Sequence, residues 1–65
     1  MRWKYNNGRM ILETPLRAYV IYPQNVEGEI HYILNCSDMW CDMFYERADA
    51  KHAAEEDYRK INSKI

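Results

Sequence analysis

Four side chains in this sequence are of the kinds that bind zinc or carry thiol chemistry: His31, Cys36, Cys41 and His52. A structural zinc site needs four such ligands within about 2.0–2.3 Å of one ion. If the residues from 37 onward form one helix, Cys41 and His52 stand roughly 16 Å apart along its axis. His31 and Cys36 are separated by an odd number of positions, so on a regular strand they face opposite ways. The spacing argues against a metal site, and no cofactor is expected.

The two cysteines allow three further interpretations. A Cys36–Cys41 disulfide fits the spacing, but two cysteines behind an N-terminus without an apolar leader favour a reducing cytoplasm. A catalytic thiol needs a neighbouring base, and the sequence places none within clear reach. The favoured interpretation is that both are reduced, small apolar residues beneath a helix. No phosphate-binding glycine loop or H-E-x-x-H motif is present, so we expect a protein that is not an enzyme.

Length and composition predict one globular domain over residues 1–65. The chain is 48% hydrophobic and 29% charged, which is not the profile of a disordered segment. No apolar run approaches the roughly 20 residues of a membrane span. A chain of this size buries only about 60% of the surface that its unfolded form exposes. Small domains of this kind commonly gain stability from a partner chain.

The N-terminal residues predict a β-hairpin with a defined register. Asn7-Gly8 is the preferred pair for a two-residue type I′ turn. That turn pairs Tyr5 with Met10 and Lys4 with Ile11. The register places the large apolar residues on one face and most charged residues on the other, a separation that a one-residue slip would destroy.

The rest of the chain predicts two more strands and a long helix. Residues 16–23 and 29–36 are rich in β-branched and aromatic residues and are separated by a loop. Ser37 is a good helix N-cap, and no Gly or Pro interrupts residues 37–65. The predicted fold is α+β in ββββα order: a small antiparallel sheet of three to four strands over 1–36, hairpin first, with one long helix over 37–64 on one face.

One helix covers only one face of a sheet, so the other face predicts an interaction surface. Alternation along the strands places Ile11, Tyr19, Ile21 and Ile33 on the uncovered face. A contiguous apolar patch with a charged rim is typical of a protein interface. The leading hypothesis is a non-catalytic interaction module, a regulator or inhibitor of the kind found in compact viral or mobile-element genomes, that docks on a protein partner.

The predicted helix adds a second contact surface. A helix over residues 38–63 would be about 39 Å long, whereas strands of five or six residues span about 17–20 Å. The overhanging part would leave Tyr58 and Ile61 without cover, unless the helix breaks near Asp49. A second copy of the chain is the simplest cover, so a homodimer is expected.

The alternative function is nucleic-acid binding. Residues 1–22 carry Arg2, Lys4, Arg9 and Arg17 against one acidic residue, whereas residues 23–46 carry five acidic residues and no Lys or Arg. Four basic side chains with Tyr19 on the same sheet face would offer phosphate contacts and a stacking surface. The net charge of −1 argues against this alternative.

Overall fold

A computed structural model describes residues 2–37 and 39–63 of the chain. In chain order the elements are β1 (Lys4–Asn6), β2 (Arg9–Glu13), β3 (Ala18–Val26), β4 (Glu29–Cys36), β5 (Met39–Phe44) and α1 (Arg47–Asn62). The strands form one antiparallel sheet in which each strand pairs with the next along the chain, and α1 packs on β3, β4 and β5. The predicted α+β class is therefore confirmed, with five strands rather than three to four.

The N-terminal hairpin has the predicted register. Asn6 pairs with Arg9, Tyr5 with Met10 and Lys4 with Ile11. The turn residues Asn7 and Gly8 have φ angles of 51° and 78°, the left-handed region that a type I′ turn requires at both positions. A short-range signal was sufficient here because the turn alone sets the register.

The structure corrects the predicted start of the helix. The prediction of a helix from residue 37 is wrong, because Met39–Phe44 form β5 and the helix begins at Arg47. Ser37, the expected N-cap, instead has a φ of 51° in the connection between β4 and β5. A register shift in the β4–β5 ladder opposite Leu34 and Asn35 gives β5 one extra residue. Asp38 and Lys64, also within the predicted helix, lie outside the described residues.

The prediction of which β3 side chains face the helix is also wrong. Leu12 pairs with Tyr19 and Met10 with Ile21, so Tyr19 and Ile21 lie on the helix side of the sheet and are fully buried. The turn before β3 determines this register: the Thr14 backbone N–H donates to the Arg17 carbonyl, and the Arg17 N–H donates to the Thr14 hydroxyl. Both alternating sets in β3 are apolar, so periodicity alone did not distinguish the two faces.

The core lies between α1 and the sheet. Ala50 and Ala54 have no exposed surface, and such small side chains let the helix approach the strands closely. Around them lie Met10, Leu12, Tyr19, Ile21, Leu34 and Cys36. The Trp3 indole N–H donates to a Glu55 carboxylate oxygen at 2.9 Å, which ties the start of the chain to the helix.

The helix does not overhang the sheet as predicted. It has 16 residues, which corresponds to about 24 Å, and it is continuous through Asp49. Tyr58 packs against the core, and Ile61 is half-buried. The length mismatch that motivated a helix-mediated dimer is therefore absent. Within the described residues, no helix combines the length and apolarity needed to cross a bilayer.

Candidate functional site

The sheet face opposite α1, hereafter the open face, carries a group of apolar side chains from four strands. Ladder pairs assign its members: Ile11 with Val20, Tyr22 with Ile33, and Ile33 with Met43. No other element lies over these residues in the part of the chain that the structure describes. The result is an apolar surface supported by a rigid sheet.

Ile33 is at the centre of the open face. It is only 4% exposed although no helix covers it, because its ladder neighbours Tyr22 and Met43 flank it on either side. Met43 itself is 41% exposed. Ile33 therefore supports the side chains around it, and those half-exposed side chains, rather than Ile33, form the accessible apolar surface.

His31 lies on the same face as Ile33 and is nearly buried. Tyr45, which follows β5, lies against it with ring centroids 4.7 Å apart and the rings tilted by 47°. The Nε2 atom of His31 is 3.6 Å from a Glu29 carboxylate oxygen, and its Nδ1 atom is buried without a hydrogen-bond partner among the described residues. The open face therefore carries a nearly buried polar side chain, His31, on the same strand as Ile33.

The structure divides the predicted partner-binding residues into two sets. Ile11 and Ile33 lie on the open face, as predicted. Tyr19 and Ile21 do not, because they pack in the core under α1. Tyr58, expected to be uncovered on the helix, also packs against this core, and Ile61 is half-buried on α1. The sequence analysis did not assign Val20, Tyr22 and Met43 to the open face. The four-residue turn Thr14–Arg17 could have identified Val20 and Tyr22, because it sets the register of β3.

The predicted basic surface is only partly assembled. Lys4 and Arg9 lie toward the open face, and the Arg9 guanidinium carbon is 5.9 Å from the centre of the Tyr22 ring. Arg17 points away from it, because its guanidinium donates to the Asp57 carboxylate on α1 at 2.8 Å. Tyr19, the expected stacking residue, is buried and also donates to Asp57. The prediction that Arg17 and Tyr19 share a nucleic-acid surface with the other basic residues is wrong.

A separate cavity of about 400 Å³ opens at the end of the sheet where β4 connects to β5. Its lining includes Leu16, Arg17, Cys36, Met39, Trp40 and Cys41. Cys36 is buried in the core, as predicted, but Cys41 is exposed, which corrects the expectation that both lie beneath a helix. Both are free thiols.

The four candidate zinc ligands are not brought together. His31 is on the open face, whereas His52 is on α1 beside Glu56, at 3.7 Å. Among residues 2–37 and 39–63, no three His, Cys, Asp or Glu side chains are placed to hold one metal ion. Two features of the described residues remain as candidate sites: the apolar open face of the sheet, and the two neighbouring thiols at the end of the sheet where β4 connects to β5.

The fold and these two features define a two-layer α+β domain with an uncovered sheet face. Comparison with known proteins adds no family: the chain matches no family model, no curated protein and no solved structure.

Proposed function

We propose that this chain is a small non-catalytic protein-interaction module that docks on a protein partner through the open face. The observation that carries the proposal is the 41% exposure of Met43 beside the half-buried Ile11, Val20 and Tyr22, on a sheet face over which the described residues place no helix. Burying a large apolar side chain contributes about 1.5–3 kcal/mol. An accessible apolar surface of this kind fits a regulator or inhibitor, which acts by occupying a surface of its partner.

The charge distribution supports a second copy of the chain as that partner. Because the strands are ordered along the sheet as they are along the chain, Lys4 and Arg9 lie on β1 and β2 toward one edge, whereas Glu29 and Asp42 lie on β4 and β5 and Glu46 follows β5 toward the other edge. A two-fold axis parallel to the strands, in a face-to-face pair, places β1 and β2 of one copy over β4 and β5 of the other. Each basic edge then meets an acidic edge, and Tyr22, on the central strand β3, meets its counterpart near the axis. Aligned sheets pack in this way in β-sandwiches.

The face, rather than the edge of β5, is the proposed contact. Exposed apolar edge strands commonly pair with other strands, but a bulge and a charged side chain both reduce this tendency. β5 has both features: a register shift in its ladder, and Asp42, whose carboxylate accepts the Met43 backbone N–H at 2.7 Å. Pairing through this edge would have to displace that hydrogen bond.

Light scattering over a range of protein concentrations tests the proposal. The wild-type chain is expected to form a dimer, and Met43→Glu is expected to dissociate it by placing a charge in the apolar contact. Ile30→Glu is the matched control, because Ile30 is an isoleucine of β4 that is 50% exposed and lies on the helix side of the sheet. The control should remain dimeric.

Two results would contradict the proposal. One is a wild-type chain that stays monomeric at high concentration. The other is a dimer that Ile30→Glu dissociates as effectively as Met43→Glu. Binding of a short oligonucleotide that weakens by orders of magnitude between low and moderate salt would instead support the nucleic-acid alternative through Arg2, Lys4 and Arg9.

A further inference from the structure

The neighbouring thiols of Cys36 and Cys41 are not used by the proposed interaction, and they differ in accessibility. Cys36 pairs with Met39 across the β4–β5 ladder, and Cys41 lies two residues farther along β5, at the register shift. Diagonal neighbours on adjacent strands are within side-chain reach. Cys36 is 6% exposed, whereas Cys41 is exposed to solvent. Both line the same cavity, so a molecule that enters it meets Cys41 first.

The surroundings of Cys36 keep its thiol protonated at neutral pH. Burial raises its pKa to about 12, and the neighbouring Cys41 thiol contributes in the same direction. The Arg17 guanidinium opposes this by favouring the thiolate. The thiolate is the reactive form of cysteine, so burial, the largest cause of the raised pKa, makes Cys36 poorly reactive.

We propose that Cys36 and Cys41 form an oxidisable dithiol that closes to a disulfide by exchange with a small-molecule disulfide of the glutathione type. In the first step the Cys41 thiolate attacks one sulfur of the reagent. The reagent's S–S bond breaks, a mixed disulfide forms on Cys41, and the first leaving thiolate takes up a proton. In the second step the Cys36 thiolate, after losing its proton to solvent, attacks the Cys41 sulfur and releases the second thiolate.

The two steps balance. Two protein thiols are oxidised to one disulfide, the reagent's disulfide is reduced to two thiols, and the two protons lost by the cysteines are taken up by the leaving thiolates. Such exchange depends on the thiolate fraction of the attacking cysteine and on access to the sulfur that is attacked. Cys41 has the access required for the first step, and Cys36 has the proximity required for the second.

The first step makes the second easier. A Cys41 sulfur in a mixed disulfide carries no charge, so it no longer disfavours a thiolate on Cys36 by charge repulsion. Burial still opposes the Cys36 thiolate, and Arg17 still favours it. The order of attack, with the exposed thiol first and the buried thiol second, therefore follows from the positions of the two residues. This proposal is independent of the interaction through the open face.

The experiment incubates the full chain with oxidised and reduced glutathione in varying ratios, followed by acid quenching, alkylation and intact-mass measurement. The wild type is expected to lose both thiols together and to gain an internal disulfide. Cys36→Ser should stop at one glutathione on Cys41. Cys41→Ser should keep its Cys36 thiol and react at least about tenfold more slowly, because access then requires local opening.

Circular dichroism shows which variants are folded, and Cys36→Ala replaces Cys36→Ser if the serine variant unfolds. Three results would overturn the proposal: a wild type that keeps both thiols in excess oxidised glutathione, a wild type that accumulates only the mixed disulfide or disulfide-linked dimers, or a folded Cys41→Ser that loses its remaining thiol as fast as the wild type.

Discussion

Asp57 connects the helix to the sheet through two hydrogen bonds to one carboxylate oxygen. The Tyr19 hydroxyl donates to Oδ2 at 2.6 Å, and the Arg17 guanidinium donates to the same atom at 2.8 Å. Tyr19 is fully buried, so its hydroxyl needs a partner inside the protein. An aromatic residue expected on a binding surface therefore has a structural role, and its polar group fixes the position of α1.

Removing the Asp57 carboxylate should destabilise the fold. Asp57→Ala leaves the Tyr19 hydroxyl buried without an acceptor, which costs about 1–3 kcal/mol. Urea unfolding of Asp57→Ala, Tyr19→Phe and the double variant measures the coupling between the two groups, and the loss from Asp57→Ala should be smaller in the Tyr19→Phe background. Glu56→Ala, at an exposed neighbour with only long ion pairs, is the control and should change stability by less than about 0.5 kcal/mol. Equal losses from Asp57→Ala in both backgrounds would argue against the coupling.

The pKa of Cys36 predicts loss of stability at alkaline pH. Burial raises this pKa to about 12 in the folded chain, so above the ordinary thiol pKa the unfolded chain gives up a proton that the folded chain retains. The stabilisation that the protonated Cys36 thiol contributes is complete below about pH 8.5. It is lost as the pH rises to 12, by up to about 1.4 kcal/mol for each pH unit. The pKa of the buried Tyr19 is also raised, mainly by burial and secondly by its hydrogen bond to Asp57. Tyr19 therefore also lowers the stability of the fold as the pH rises above about 10.

Urea unfolding at a series of pH values measures this effect. Cys36→Ala should show a shallower decline than the wild type between about pH 9 and 10, where Tyr19 does not yet contribute. Identical slopes for the two proteins in that interval would show that Cys36 is not the group responsible.

At the scale of elements, local turn chemistry determined which predictions succeeded. Asn7-Gly8 is a recognisable hairpin signal, and the hairpin was predicted with its register. The connection from β4 to β5 carries Ser37 with a φ of 51° and lacks such a signal. The extra residue in β5 then gave the apolar residues Trp40, Met43 and Phe44 spacings of three and four, which resemble a helical stripe. A β-bulge is a tertiary feature of strand pairing, so periodicity along the chain did not reveal it.

The β3–β4 turn predicts a stabilising substitution. Glu27 and Gly28 have φ angles of 52° and 85°, so both turn residues are left-handed. This conformation is unfavourable for Glu but is tolerated by Asn, which is preferred before Gly in type I′ turns. Glu27→Asn should therefore raise the free energy of unfolding by about 0.5–1 kcal/mol. Glu27→Ala removes the same charge without the preference for this conformation, so thermal unfolding should show no comparable gain. Equal stabilities of the two variants would attribute any change to charge alone.

At the scale of the whole molecule, the order of the strands across the sheet is the same as their order along the chain. The sequence revealed the basic and acidic segments, but not that Lys4 and Arg9 lie toward one edge of the sheet and Glu46 follows the strand at the other, because that depends on the strand order. It predicted an uncovered face correctly and assigned the wrong half of β3 to it. Long-range register, rather than local propensity, determines which apolar residues a partner meets.

This polarity predicts the result of reversing charges in the proposed dimer. A variant with Lys4→Glu and Arg9→Glu places negative charges on β1 and β2, and a variant with Glu29→Lys and Glu46→Lys places positive charges at the start of β4 and after β5. In the face-to-face pair each variant alone opposes like charges, so self-association should weaken by at least about tenfold.

Mixing the two variants restores opposite charges at both edges, since each acidic edge of one then faces a basic edge of the other. A mixed dimer should form more tightly than either variant does alone, as measured by sedimentation of the mixture at low salt. Higher salt should reduce this difference, because surface charges are screened over about 8 Å at physiological ionic strength. The apolar centre around Ile33 is not screened and should hold the wild-type dimer together at the same salt concentration. A mixture that associates no better than its components would rule out the two-fold axis parallel to the strands, even if a dimer forms.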